Sequence, residues 1–187
     1  MDFGTGDFTV EMWLKTPGPP TYIMDFFLKI SDDGNNGWGM VMYPSSGKIN
    51  FWTNNGDTTT GSGYNDNQWH QVVGLREGNQ LKLYADGVLQ STATESPISN
   101  VNVGGALYIG GLPIFSAYLP GILDEVRMYN RALAADEVLE HYQGVFSYEL
   151  QESGNWNFHE GSGTTVADVS GKNNNGKRKG LLMVLGL

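Results

Sequence analysis

GILDEVRMYNRALAADEVLEHY, residues 121–142, predicts a β-strand followed directly by a helix. In residues 122–129, Asp124, Val126 and Met128 fall on one strand face, because successive side chains of a strand point to opposite faces. The residues that follow repeat apolar side chains at the spacing of one helical face: Ala135, Val138, Leu139 and Tyr142. The stretch therefore predicts one strand and one short helix near residues 134–142.

Eight further segments, all of which precede this stretch, have the sequence features of β-strands. They are short runs rich in β-branched and aromatic residues, at residues 8–15, 22–30, 38–43, 49–53, 69–76, 81–85, 88–92 and 106–109. Asp86-Gly87 is a residue pair favoured in tight hairpin turns. Residues 54–67 are polar and are predicted as a long loop. About nine strands and one helix predict an all-β sandwich or barrel.

The composition supports this fold class and limits the function. The chain has 187 residues with 26 glycines, 12% aromatic and 17% charged residues, which fits one turn-rich β domain with a possible appendage. It contains no cysteine, so disulfides and thiolate metal sites are excluded. Residues 180–187 are apolar but too short to span a bilayer, and residues 1–10 show no secretory leader.

The charge is unevenly placed along the chain. The net charge is −9, yet all 20 acidic residues and only 7 of the 11 basic residues precede Lys172, so that part carries −13. An acidic body disfavours nucleic acid and anionic lipid as partners and suits cations and neutral ligands. We therefore expect neither nucleic-acid binding nor membrane insertion.

Four segments carry a family resemblance. They are DFTVEMWLK (7–15), NQWHQVVGLREGNQLKLYADGVLQ (67–90), LYIGG (107–111) and GILDEVRMYNRALAADEV (121–138). In order and spacing the chain resembles laminin G-like jelly-roll modules of the concanavalin A-like lectin/glucanase superfamily, over roughly residues 5–143. The resemblance implies an antiparallel jelly-roll β-sandwich in an extracellular or cell-surface setting.

The chain departs from the resemblance in the position of one segment. Such modules usually open with a strand and turn similar to WNFHEGSGTTVADVSGKNNNG, which here stands at residues 156–176. We divide the chain into a sandwich at 1–143 and a C-terminal segment at 144–187. The segment could complete the same sandwich, complete a neighbouring copy in a strand-exchanged oligomer, or remain a stump of a second module. We favour completion of the same sandwich, since a missing strand would expose a sheet edge.

The resemblance also implies one structural calcium ion. On the matching positions its ligands would be Asp168, Asp124, Glu125 and Asn174, with backbone carbonyls of residues 171–174. Calcium favours six to eight hard oxygen ligands from flexible loops. The alternative is that these residues cap turns without an ion. Residues 32–36 (DDGNN) are a weaker metal candidate, interpreted as a polar turn.

Carbohydrate-binding sandwiches use aromatic rings that stack on sugar rings, and polar groups that bind hydroxyls. The candidates are Trp52, Trp38, Tyr64, Asn54 and Asp57, with Tyr22 and Tyr118 as further aromatics. Trp52 is the leading candidate because it borders the predicted long loop. The alternative is that aromatics fill the core, which we expect for Phe8, Phe51, Trp13 and Trp69 and which is left open for Trp38.

Catalysis is not expected. A glycosidase needs two carboxylates about 5 to 9 Å apart, whereas Asp124 and Glu125 are adjacent and are predicted on opposite strand faces. The three histidines are isolated in sequence. We therefore predict a non-catalytic module that binds a glycan or glycoprotein, as a lectin or adhesion domain. The alternatives are an assembly module that links copies by strand exchange and, less favoured, a glycoside hydrolase.

Overall fold

The computed structural model describes residues 3–17, 22–31, 36–112, 117–146, 152–160, 162–179 and 182–185. The strands are, in chain order, β1 Phe8–Lys15, β2 Met24–Ile30, β3 Gly37–Met42, β4 Lys48–Thr53, β5 Gly56–Gly63, β6 His70–Glu77, β7 Gln80–Ala85, β8 Val88–Thr94, β9 Leu107–Ile109, β10 Gly111–Leu112, β11 Ala117–Tyr118, β12 Ile122–Tyr129, β13 Glu152–Trp156, β14 Thr165–Val166, β15 Gly176–Lys179 and β16 Leu182–Leu185. Helix α1 spans Ala135–Tyr142. The predicted all-β class, with one short helix near residues 134–142, is confirmed.

Two antiparallel sheets form a sandwich. The six-stranded sheet has the order β13-β12-β1-β6-β7-β8, and the eight-stranded sheet has the order β14-β15-β16-β9-β2-β3-β4-β5. A small hairpin of β10 and β11 stands beside them. The predicted sandwich is confirmed by this arrangement.

The core lies between the two sheets and is built by alternation along each strand. Phe8 of β1 is wholly buried, as are the next inward residues of that strand, and it meets Trp38 of β3 with ring centroids 5.1 Å apart. Phe51 of β4 packs against Phe8 from the same side as Trp38 and is also wholly buried. The expectation that Phe8 and Phe51 fill the core is confirmed. Burial of each such ring contributes about 2 kcal/mol of hydrophobic stabilisation.

Helix α1 covers the outer face of the six-stranded sheet. Its Val138 is wholly buried in a second apolar cluster formed with side chains of β6, β7 and β12. Glu137 accepts hydrogen bonds from the two terminal guanidinium nitrogens of Arg131, each at 2.7 Å, and from the backbone N–H of Ala134 at 2.8 Å. These bonds fix the first turn of the helix, where acidic residues are favoured.

The prediction of a long loop at residues 54–67 is wrong. The centre of this segment is strand β5, which pairs with β4 through a tight turn at Asn54 and Asn55. Thr58 and Thr60 of β5 are buried, while Asp57 and Gly61 are exposed. The segment is a polar edge strand, and its polarity reflects an exposed face rather than the absence of secondary structure.

The C-terminal segment contributes strands to both sheets within this chain. β13 pairs with β12 at the edge of the six-stranded sheet, and β16 pairs with β9. Trp156, at the end of β13, is wholly buried, and its Nε1 donates to the carbonyl of Asn174 at 3.0 Å. The division of the chain at residue 143 stays a prediction.

The part of the chain that the structure describes contains no helix long and apolar enough to cross a membrane.

Candidate functional site

A β-bulge in β12 brings two carboxylates together. Glu11 of β1 stands opposite Arg127 and Trp13 stands opposite Asp124, so that two residues of β12 face one residue of β1. Glu125, at the bulge, has a φ of 51°, in the left-handed region. The carboxylates of Asp124 and Glu125 therefore approach each other, and the prediction that they lie on opposite faces is wrong.

A third ligand-type group joins these carboxylates. One ring nitrogen of His159, in the C-terminal segment, and one oxygen each of Asp124 and Glu125 lie within 4.8 Å of one another. The other contacts of the carboxylates are local: Glu125 pairs with the guanidinium of Arg127, and Asp124 accepts the backbone N–H of Glu125 at 2.8 Å. Sequence spacing did not reveal His159, because it lies 34 positions or more from the two acids and only the pairing of β13 with β12 brings it close.

The same carboxylates line a shallow pocket on the outer side of the six-stranded sheet. Trp13, Trp69, Asp124 and Glu125 line it, and its volume is about 320 Å³. Trp69, just before β6, is 41% exposed, and Trp13 is half-buried. The expectation that both tryptophans fill the core is wrong. The alternation of side chains along β1 could have predicted the outward position of Trp13, because Trp13 lies on the strand face opposite to the inward-facing Phe8.

Trp13 is held in place by helix α1. Its indole stacks on the ring of Tyr142 with centroids 5.9 Å apart and planes 13° from parallel. Offset aromatic stacking of this kind stabilises both rings by about 1 kcal/mol beyond their burial.

Asp168 and Asn174, the other two residues predicted for calcium, organise a turn. Asp168 accepts backbone N–H bonds from Asn155, Ser170 and Asn174 at 2.9–3.0 Å. The side chain of Asn174 donates to the carbonyl of Ser153 at 2.9 Å. Burial alone would raise the pKa of Asp168, but the hydrogen bonds from Ser170, Asn155 and Asn174 outweigh it and lower the pKa below its ordinary value.

The four predicted calcium ligands thus lie in two places. Asp124 and Glu125 line the pocket. A ring nitrogen of His159 lies near their carboxylates, and Asp168 is not part of that group of ligand atoms. Asp168 is a carboxylate already bonded to three N–H groups. Calcium stays a prediction. Of the weaker candidate at residues 32–36, only Asn36 is among the described residues.

The predicted sugar-binding residues are also divided. Trp52 and Asp57 are paired across β4 and β5 and share a face that points away from the core, because the neighbouring Phe51 points inward. Trp38 is 1% exposed and packs in the core, so its selection as a sugar platform is wrong. Asn54 accepts the backbone N–H of Gly37 at 2.5 Å and so holds a turn.

Tyr64 lies at the opposite end of the β4–β5 hairpin from Trp52. Its ring meets the edge of His70 with centroids 5.0 Å apart. His70 is held between two carboxylates, with Nδ1 2.8 Å from Asp86 and Nε2 3.0 Å from Asp66. Burial alone would lower the pKa of His70, but the hydrogen bonds to Asp86 and Asp66 outweigh it and raise the pKa above its ordinary value of 6.5. Both ring nitrogens are occupied, so His70 is not placed to act on a ligand.

The sequence matches a known family over most of its length. A sequence model of the concanavalin A-like lectin/glucanases superfamily matches residues 1–139. The chain belongs to this superfamily. The superfamily includes both binding proteins and enzymes by its description, so membership establishes the fold and leaves the function to the site.

Solved structures share the superfamily fold at low sequence identity. A proposed carbohydrate binding protein from Bacteroides ovatus ATCC 8483 has a TM-score of 0.77 and 13% identity, covering 98% of this chain and 55% of that chain. The binding domain of botulinum neurotoxin serotype G has a TM-score of 0.61 and 14% identity, covering 76% of this chain and 37% of that chain.

The binding domain of Paraclostridial Mosquitocidal Protein 1 has a TM-score of 0.63 and 16% identity, covering 76% of this chain and 38% of that chain. This superfamily member therefore spans about half the length of the first protein and less of the other two. Identities this low show a common fold alone.

Proposed function

We propose that this protein is a non-catalytic carbohydrate-binding module of lectin type, with the glycan on the Trp52 face of the eight-stranded sheet. The observation that carries the proposal is the position of Trp52. Its indole lies on the outer face of β4, across from Asp57 of β5, and it is only partly buried. A pyranose has an apolar face that stacks on an aromatic ring, and its hydroxyls need polar partners at the ring's edge.

Gly39 makes room for the indole. Gly39 is the cross-strand partner of Trp52, and a Cβ at this position would lie 3.3 Å from Nε1 of Trp52 and 2.9 Å from Cδ1 of Leu28. A side chain at position 39 would therefore press on both the indole and Leu28, and the glycine lets the indole keep its position on this face.

Asp57 supplies a polar group next to the indole. One of its carboxylate oxygens accepts the side-chain N–H of Asn50 at 2.9 Å, and the same amide nitrogen donates to Thr59 Oγ1 at 2.9 Å. Within the described residues the other oxygen of Asp57 has no hydrogen bond, and the side chain is exposed. A fixed carboxylate with one free oxygen can accept a bond from a sugar hydroxyl.

Two further observations support a binding role. The chain resembles solved structures of a proposed carbohydrate binding protein and of two toxin binding domains. We propose an extracellular or cell-surface setting with a glycan or glycoprotein as partner. We propose no catalytic role, and we expect no release of reducing sugar from polysaccharides.

The test is a glycan array followed by titration of the best oligosaccharide, with tryptophan fluorescence as readout. We expect Trp52→Ala to weaken binding by about tenfold or more, since aromatic contacts of this kind contribute about 1–2 kcal/mol. Trp69→Leu is the matched control, because Trp69 is an exposed tryptophan that precedes β6 of the other sheet. Absence of binding to every oligosaccharide at millimolar concentration, or equal loss in both variants, would contradict the proposal.

A further inference from the structure

We propose that the pocket between Trp13 and Trp69 binds an alkylated ammonium cation. Two indoles and the carboxylates of Asp124 and Glu125 line this pocket. Its volume of about 320 Å³ lies at the lower end of the range of small-ligand pockets. An indole face attracts cations through its ring quadrupole, and a carboxylate adds Coulomb attraction.

The two indoles border the position that a guest would occupy. Trp13 is fixed from behind by its stacking on Tyr142, so that its position is set before a ligand arrives. In the described part of the chain no ring contact joins Trp13 to Trp69, and the pocket occupies the space that both line. A pre-organised aromatic wall reduces the ordering that binding requires.

The charge at the pocket favours a cation. Glu125 shares its charge with Arg127, whereas the hydrogen bond that Asp124 accepts comes from a neutral backbone N–H. The carboxylates of Asp124 and Glu125 together outweigh the single positive charge of Arg127, so the net charge beside the pocket is negative. The field of the surrounding chain has the same sign, because the net charge of the protein is −9.

The lining discriminates between classes of cation. A bare ammonium group is compact and strongly hydrated, and it would have to exchange its water for hydrogen bonds. An alkylated ammonium has few or no N–H groups to satisfy, and its methyl groups can pack on the indoles while the charge faces the carboxylates.

The pocket is separate from the proposed glycan face. The pocket lies on the six-stranded sheet, and Trp52 lies on the eight-stranded sheet, so this inference does not depend on the proposed glycan face.

The experiment compares three small molecules by calorimetry and tryptophan fluorescence in buffer containing EDTA. Choline carries both the charge and the methyl groups, 3,3-dimethylbutan-1-ol keeps the shape without the charge, and ethanolamine keeps the charge without the methyl groups. We expect choline to bind about tenfold more tightly than either of the others. Phosphocholine is a fourth arm, and we expect weaker binding than for choline because its phosphate is repelled by the carboxylates.

Three variants assign the binding to the pocket. Asp124→Asn keeps an oxygen that can accept the backbone N–H of Glu125, and we expect it to weaken choline binding by about fivefold. Trp69→Leu removes an exposed wall, and we expect a loss of about tenfold. Glu140→Gln, which removes one exposed acid from helix α1, is the charge-matched control and should leave binding unchanged. Unfolding followed by circular dichroism verifies that each variant is folded.

Each other outcome overturns the inference. Equal binding of the neutral analogue would show a merely apolar pocket, and equal binding of ethanolamine would show that charge alone is sensed. A monosaccharide that displaces choline would make the pocket a sugar subsite. Because a ring nitrogen of His159 lies within 4.8 Å of the carboxylate atoms, calcium and zinc are titrated separately. A metal ion that binds where choline does not would assign the carboxylates to a metal site.

Discussion

Nδ1 of His141, on helix α1, lies 2.9 Å from Oε2 of Glu11, on strand β1, although 130 positions separate them in sequence. The other oxygen of Glu11 accepts the side-chain N–H of Gln71 at 2.8 Å. Glu11 is wholly buried and His141 is 7% exposed. A single buried carboxylate thus joins the helix to the outer face of the six-stranded sheet.

Replacing this carboxylate is expected to destabilise the fold. Glu11→Ala leaves the imidazole of His141 buried without this acceptor and leaves the amide of Gln71 with only the carbonyl of Val138, at 3.3 Å. We expect a loss of about 3 kcal/mol in the free energy of unfolding. Urea denaturation followed by far-UV circular dichroism measures it. The control is Glu140→Gln, an exposed acid of the same helix, expected within about 0.5 kcal/mol of wild type. A loss under about 1 kcal/mol for Glu11→Ala would show that the contact is not important for stability.

The fold was largely predictable from local sequence patterns. Alternation in residues 8–15 identified Phe8 as inward-facing, and the apolar spacing from Ala135 to Tyr142 identified α1 to within one residue. These signals are strong because each depends on neighbours within one element. The role of Glu11 was not visible, because it depends on a helix that follows 124 or more positions later and covers the outer face of β1.

The candidate site was less predictable, for two physical reasons. The bulge at Glu125 depends on a positive φ in a residue type that does not signal one, so alternation placed Asp124 and Glu125 on opposite faces. The orientation of an aromatic was inferred from its hydrophobicity, which suits Phe51 in the core but not Trp69 at the surface. Amphipathic indoles are found in both places, and only the strand register separates the two cases.

The C-terminal segment is expected to stabilise the sandwich through Trp156. Its side chain is wholly buried beside β12, so Trp156→Ala should lower the free energy of unfolding by about 3–5 kcal/mol. Val169→Ala is the control, because Val169 belongs to the same segment and is 53% exposed. Equal stability of the two variants would indicate that the segment does not dock.

The pairing of β13 with β12 of the same chain predicts a monomer. Light scattering coupled to size exclusion should give a mass near 20.5 kDa at all concentrations tested. A dimer mass that disappears when residues 144–187 are deleted would instead support strand exchange between copies. It would also favour the alternative function as an assembly module.

His70 is expected to make stability depend on pH near neutrality. Burial alone would lower its pKa, but the hydrogen bonds that its ring donates to Asp86 and Asp66 raise the pKa in the folded protein above the ordinary value of 6.5. The protonated imidazole is therefore favoured by folding, and its contribution is fully present below pH 6.5. The contribution is lost as the pH rises through the higher folded pKa, because the neutral ring can donate to only one carboxylate.

The measurement is the free energy of unfolding of wild type and His70→Asn from pH 5.5 to pH 9. We expect the advantage of wild type to be largest at the acidic end and to shrink as the pH rises. Asp86→Asn should reduce the pH dependence by removing one of the two partners. A wild-type advantage that is constant, or that grows with pH, would show that His70 is not held as a cation.

Calcium, predicted from the family resemblance, is tested by thermal unfolding after treatment with EDTA. A ligand that binds only the folded state stabilises it, and saturating calcium should raise Tm by about 5 °C. The variants separate two roles. Asp168→Ala should lower Tm even in EDTA, because it removes the acceptor of three backbone N–H bonds. Asp124→Asn should lose only the increase that calcium causes. A Tm that does not respond to millimolar calcium in wild type would contradict the prediction and would leave Asp168 as a turn-forming residue alone.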